Sequence, residues 1–155
     1  MTQVRPYTPA DRAAVARLNV TYYTTTHGFN GTFADAVAGA LDSLGDGDLG
    51  WVVTDQGRIA GSLFLSVETP DVGRLRLFLL RPDLQGRGLG RVLLGHALAA
   101  TPPLGITRLN VSTFTIHRAA CALYAASGFS QTARLPCQAF GRTLEQVDFS
   151  RTIGA

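Results

Sequence analysis

The chain has 155 residues, 46% of them hydrophobic and 16% charged, with a formal net charge of +3. That length suits one domain able to bury roughly 70% of its unfolded surface without staples, and the composition argues against a disordered chain. Every basic side chain is an arginine, and the arginines are scattered along the chain with no block or basic helix, so nucleic acid is not an expected partner. Cys121 and Cys137 make neither a CxxC pair nor a zinc spacing, the three histidines show no metal spacing, and no metal is expected. No segment approaches about eighteen consecutive apolar residues, and the start Met1-Thr2-Gln3-Val4-Arg5 has no apolar signal region. A cytoplasmic protein with no membrane partner is the expectation.

Val4-Arg5-Pro6-Tyr7 reads as a short first strand. Thr8-Pro9-Ala10-Asp11 then starts a helix, with Thr8 as N-cap, Pro9 in the first turn and Asp11 near the positive end of the dipole. Ala14, Val15, Leu18, Tyr22 and Tyr23 follow at helical spacing, and His27-Gly28-Phe29-Asn30-Gly31 breaks the helix. Thr32 caps a second helix with Phe33, Val37, Ala40, Leu41 and Leu44 on one face. Trp51-Val52-Val53-Thr54 is a strand, Asp55-Gln56-Gly57-Arg58 a hairpin turn, and Ile59 to Val67 the long second arm. After a turn at Pro70-Asp71, Leu75 to Leu80 forms a strand that meets a glycine-rich loop, and a helix spans 88–100. Ile106 to Val111 is a further strand, and a helix runs from about Thr115 to Ser127. Phe129 to Ile153 holds the last two strands, turning near Phe140-Gly141-Arg142-Thr143. His96 and His117 fit helix-surface positions.

The junction Leu77-Phe78-Leu79-Leu80-Arg81-Pro82-Asp83-Leu84-Gln85-Gly86-Arg87-Gly88-Leu89-Gly90-Arg91 carries the chemistry. A helix start presents backbone N–H groups with no intrahelical partner plus the positive end of the macrodipole, and glycines let a ligand come close. The dinucleotide fingerprint fails, because Arg91 stands where its third glycine belongs, and the P-loop fails because the chain has no lysine. What remains is Q-x-x-G-x-G, read as Gln85, Gly88 and Gly90. About forty residues on, Ala120-Cys121-Ala122-Leu123-Tyr124-Ala125-Ala126-Ser127-Gly128-Phe129 fills a helical face and ends on a left-handed C-cap glycine.

The first pattern resembles the pyrophosphate loop, and the second the closing helix and turn, of the GCN5-related N-acetyltransferase (GNAT) superfamily. The predicted order β-α-α-β-β-β-α-β-α-β-β is that of the same fold. The resemblance implies an α/β (α+β) domain over residues 1–155, with a mixed, mostly antiparallel sheet flanked by about four helices. It is closest to the acetyltransferase half of the MarR–GNAT fusions, through Gly28-Phe29-Asn30, Gly61-Ser62-Leu63-Phe64-Leu65 and Leu75-Arg76-Leu77. The chain departs from that subgroup at Ser112-Thr113-Phe114, where a Trp-Thr-Asn run is common.

From this resemblance follow the expected activity and site. Acetyl-CoA is the donor, and an amine attacks its thioester directly in a ternary complex; no nucleophile elbow is present to form an acyl-enzyme. Phe78, Leu79 and Leu80 offer backbone groups to the pantetheine arm. Gln85, Gly86, Arg87, Gly88, Leu89, Gly90 and Arg91 face the diphosphate. Tyr124 protonates the departing thiolate. His27, Phe29, Phe33 and Glu68 mark the acceptor side, with the strand near Leu65–Glu68 and the C-terminal strands as further walls. No general base stands out, and an α-amine of pKa about 8 is already partly neutral, unlike a lysine amine near 10.4. The acceptor is a small-molecule amine, an amino acid or a peptide terminus, and a homodimer is left open. The competing reading is an acyl-CoA-binding module without transfer.

Overall fold

The structure, a computed structural model, describes residues 1–154. Seven strands form one sheet: β1 (Thr2–Pro6), β2 (Leu49–Asp55), β3 (Arg58–Thr69), β4 (Val72–Leu80), β5 (Arg108–Phe114), β6 (Ser130–Ala139) and β7 (Arg142–Thr152). Four helices flank it: α1 (Arg12–His27), α2 (Thr32–Asp42), α3 (Leu89–Ala100) and α4 (Arg118–Ala126). The spatial order is β1-β2-β3-β4-β5-β7-β6. Every neighbouring pair is antiparallel except β4 and β5, which run parallel with α3 as the crossover. The element order and the mixed, mainly antiparallel sheet are those expected from the sequence.

Strand alternation splits the core between the two faces of the sheet. Leu63 and Leu65 join Leu93, Leu94, Ala97 and Tyr124 under α3 and α4, whereas Phe64 joins Val15, Tyr23, Val37 and Leu41 under α1 and α2. Two of the three two-residue hairpins carry positive φ at both central residues, Gln56 (50°) with Gly57 (79°) and Phe140 (54°) with Gly141 (78°). That is the geometry whose twist matches paired strands.

Three local details differ from the sequence reading. The cap of α2 is the Asn30 side chain, which accepts from the Thr32 N–H at 3.1 Å, so Thr32 is the first helical residue. Helix α4 starts at Arg118, one turn late, because His117 sits at φ −82°, ψ 65° and leads the chain out of β5. His117 is therefore no helix-surface residue; its ring turns inward.

Candidate active site

Strands β4 and β5 pair only from Val72 to Arg74 with Arg108 to Asn110. Past that point β5 stays with β7, and β4 stays with β3. The sheet therefore opens into a V along Leu75–Leu80. A bulge helps to open it: Ser62 opposes Leu79 and Phe64 opposes Arg76, so Leu77 and Phe78 together face Leu63. Leu77 takes φ 51°, a left-handed value that a branched side chain adopts only under constraint. Hydrogen bonds supply the constraint: the Ser62 hydroxyl donates to the Leu77 carbonyl at 2.7 Å, and Asn19 on α1 donates to the Ser62 oxygen at 3.4 Å and to the Val15 carbonyl at 3.0 Å.

The glycine loop lies at the mouth of this V. Phe78, Leu79, Leu80, Gln85, Gly86, Gly88, Gly90 and Arg91 line a cavity of about 480 Å³, facing Ile116, His117, Arg118, Ala119, Ala120 and Leu123 across it. Gly86 and Gly88 hold φ of 82° and 81°, and a Cβ at either would meet nothing within 4 Å. Open space lies in front of the loop, where the first N–H groups of α3 have no intrahelical acceptor. Arg91 and Arg118, both on the cavity wall, form no ion pair among the described residues. Open backbone, a helix start and two uncommitted guanidiniums suit a diphosphate.

Two of the expected loop residues stand apart from the cavity. Arg87 is exposed at the loop tip, and Leu89 turns into the core under α3. Gln85 lines the cavity, but its amide donates to the Leu80 carbonyl at 3.0 Å, so it ties the loop to the end of β4.

Deeper in the V lies a second cavity of about 150 Å³, lined by Asn19, Tyr23, Phe29, Phe33, Leu75, Arg76, Leu77, Phe78, Val111, Ser112, Thr113, Phe114, His117, Ala120 and Tyr124. Phe78, His117 and Ala120 line both, so the two spaces adjoin. Tyr124 is 1% exposed and packs against Phe78, Phe129 and Phe149. Burial pushes its hydroxyl pKa upward, so the phenol keeps its proton across the physiological range.

Of the four expected acceptor-side residues, Phe29 and Phe33 line this inner cavity. Their rings belong to a cluster with Tyr23, Phe114 and Phe140, and the Asn30 N–H bonds the Phe140 carbonyl at 2.9 Å. The loop between α1 and α2 is thereby pinned to the β6–β7 turn. His27 stands behind the cavity, its ring 5.9 Å from that of His117 and its carbonyl held by Arg142 at 2.8 Å. Glu68, expected on the acceptor side, lines neither cavity. It sits near the Pro70-Asp71 turn, at the end of β4 where β5 is still paired, and is bonded to Arg74. Leu65 likewise is fully buried in the core and lines neither cavity.

Sequence reasoning passed over Arg76, His117, Tyr23 and Asn19. A charge inside the apolar run Leu75–Leu80 was a usable signal for Arg76, since arginine is seldom buried without a partner. His117 carried no such signal until the strand end was placed. Its Nδ1 lies 3.2 Å from the Tyr23 hydroxyl, and its Nε2 is buried without a partner. Burial lowers its pKa to about 4, so the ring is neutral at pH 7.

The unfolded chain takes the proton near pH 6.5 and the folded one near 4, so stability is full above 6.5 and falls on acidification through that window. His27 is lowered in the same direction by burial and then by Arg142. Urea melts at pH 7 and 4.5 should show a loss attributable to His117 of up to about 3 kcal/mol. His117→Asn should flatten that slope while keeping the part due to His27; an unchanged slope would show that the ring is not held neutral.

A strand splayed by a bulge, a glycine loop opening a helix at the mouth and a buried tyrosine at the inner end make a site that suits a phosphate-bearing ligand lying along β4. The chain belongs to the Acetyltransferase (GNAT) family, whose model matches residues 14–129. Among curated proteins it is similar to the mycothiol acetyltransferase of Beutenbergia cavernae, 34% identical over 90 residues, which is 57% of this chain and 30% of that protein. The match thus spans less than a third of the relative's length. Solved structures share the fold over nearly the full chain. The yncA protein of Salmonella typhimurium, solved with its cofactor acetyl-CoA, superposes at TM-score 0.79 with 20% identity, covering 99% of this chain and 94% of that one. The ribosomal-protein-S18-alanine N-acetyltransferase of Escherichia coli gives 0.76 and 21%, covering 100% and 96%.

Proposed function

We propose that this chain, as a single domain over residues 1–155, transfers the acetyl group of acetyl-CoA to the primary amine of a small molecule, an amino acid or a peptide terminus. The observation that supports this reading is the continuity of the two cavities: one side of the V carries the glycine loop, and the other ends at Tyr124. A donor anchored by its diphosphate at Gly86–Arg91 and threaded past Phe78 and Leu80 brings its acyl end to Phe78, His117 and Ala120. Acetyl-CoA supplies the activated carbonyl. The acceptor nitrogen bonds to that carbon, the carbon–sulfur bond breaks, Tyr124 gives its proton to the sulfur, and the proton lost by the amine is relayed through water to the phenolate, which restores the phenol. No carboxylate lines the inner cavity, so the acceptor arrives neutral, which suits an α-amine better than a lysine side chain.

The kinship we favour within the family is with the acetyltransferase halves of the MarR–GNAT fusions, on the segments around Gly28, Gly61 and Leu75. We further place the protein in the cytoplasm, with no nucleic-acid or membrane partner; no helix among the described residues is long and apolar enough to cross a membrane.

Thiol release from acetyl-CoA across a panel of small amines, amino acids and peptides tests the reading. Turnover with at least one class is expected. Tight acetyl-CoA binding without release by any amine would make the chain a binding module, and tight, strongly salt-dependent duplex binding would count against a small-molecule acceptor.

A further inference from the structure

Arg74 and Arg76 lie two residues apart on β4 and so on the same face of the strand, yet they are treated differently. Arg74 is fully committed: its guanidinium pairs with Glu68 and donates to the Ser112 hydroxyl at 2.9 Å. Arg76 has no ion pair and no hydrogen bond among the described residues, and its Nε is buried without a partner. Arg76 also lines the inner cavity, together with Ser112 and the rings of Tyr23, Phe29 and Phe33. No Asp or Glu lines that cavity. A partly buried guanidinium without a counter-ion is costly, and proteins pair such charges unless a ligand supplies the partner.

We propose that the acceptor is a free α-amino acid with a compact apolar side chain, and that Arg76 holds its carboxylate. This rests on the acetyl-transfer reading above. The chemistry of the wall argues each part. A planar guanidinium with a buried Nε–H prefers a carboxylate, which it can grip with two parallel bonds. The Ser112 hydroxyl, on the face that Arg74 and Arg76 share, is at hand for the polar end of the same molecule. The aromatic side of the cavity takes an apolar side chain, and the volume of about 150 Å³ sets its size as small. A cationic acceptor, such as a polyamine or a lysine side chain, would meet Arg76 with no carboxylate to offset it. The guanidinium beside the α-amine also favours the neutral, nucleophilic form of that amine, which lowers the need for a side-chain base.

The test compares each amino acid with its decarboxylated amine, leucine with isoamylamine and valine with isobutylamine, on the parent protein, Arg76→Met and Arg76→Lys. The parent should prefer the amino acid by roughly 10–100-fold in kcat/KM, as a charge-assisted bond allows. Arg76→Met should abolish that preference while leaving acetyl-CoA affinity intact, and Arg76→Lys should restore part of it. Equal use of amine and amino acid by the parent, a preference unchanged in Arg76→Met, or better use of dipeptide N-termini than of free amino acids would overturn the proposal. Calorimetry of N-acetylleucine and N-acetylvaline on the CoA-loaded protein separates the two readings. Binding that depends on Arg76 without any turnover would sink transfer and keep the carboxylate site; no binding by the parent would sink the site. Because the parent's own selectivity is decisive, a variant that failed to fold would still leave a result.

Discussion

Tyr124→Phe is expected to lose turnover by about 10²–10⁴ while keeping the fold and the affinity for acetyl-CoA. The ring is what packs: its centroid lies 5.9 Å from that of Phe78, 5.4 Å from Phe129 and 5.6 Å from Phe149, and phenylalanine preserves all three contacts. No side-chain hydrogen bond among the described residues involves the hydroxyl, and the residue lines the inner cavity, so removing it strands no bonded partner and should change stability little. What it removes is a proton at the wall of the inner cavity, close to where Phe78, His117 and Ala120 join the two spaces. Because burial raises the phenol's pKa, the donor form is present across the working range, and the parent's pH profile should show no loss at neutral pH from this group. A lost proton donor acts on kcat more than on the donor's affinity. Near-normal turnover in Tyr124→Phe, with chemistry rate-limiting, would mean that water or another group protonates the thiolate, and Tyr124 would keep only its packing role.

The order of elements was readable because it rests on local signals that do not need tertiary context. The 3.6 spacing in α2, the Gln56-Gly57 turn and the proline-glycine break after Leu80 all act within a few residues. The cofactor side of the site was readable for the same reason: a strand, a glycine loop and a helix start are contiguous in sequence. The acceptor side was not, because it is assembled from distant segments. Phe29, Phe33, Phe114 and Phe140 meet only when Asn30 bonds the β6–β7 turn, and nothing in the chain's local pattern says that they do. Glu68 failed for a related reason. Its distance from the loop is set by where β4 parts from β5, which depends on the register of a parallel pair. The opening itself depends on the Ser62 hydroxyl and on Asn19, 43 residues apart, meeting at the Leu77 bulge. Polar residues in helix α1 and strand β3 gave no sequence pattern to show that they would be buried together.

Gly88→Val is expected to weaken acetyl-CoA binding at least tenfold, about 1.4 kcal/mol, in a protein that still folds. The native φ of 81° is one that a β-branched residue resists, at a cost on the order of 1–2 kcal/mol. That strain lowers stability in the free protein and does not by itself say anything about the ligand. The second effect is steric and appears only with ligand present. A Cβ at Gly88 meets nothing of the chain within 4 Å, so the added isopropyl group would stand in the open space before the first N–H groups of α3. The two effects can be separated. Gly57, in the β2–β3 turn, has φ 79° and likewise no neighbour within 4 Å of a Cβ, but it lies outside the glycine-loop cavity. Gly57→Val should therefore carry a similar strain and lower Tm while leaving acetyl-CoA affinity unchanged. Gly88→Ala, with the strain but less bulk, should fall between the parent and Gly88→Val in affinity. Calorimetry on the four proteins reads the difference directly. If Gly88→Val and Gly57→Val melt alike and bind acetyl-CoA alike, the 85–91 loop does not approach the diphosphate, and the phosphates must lie against Arg91 and Arg118 alone.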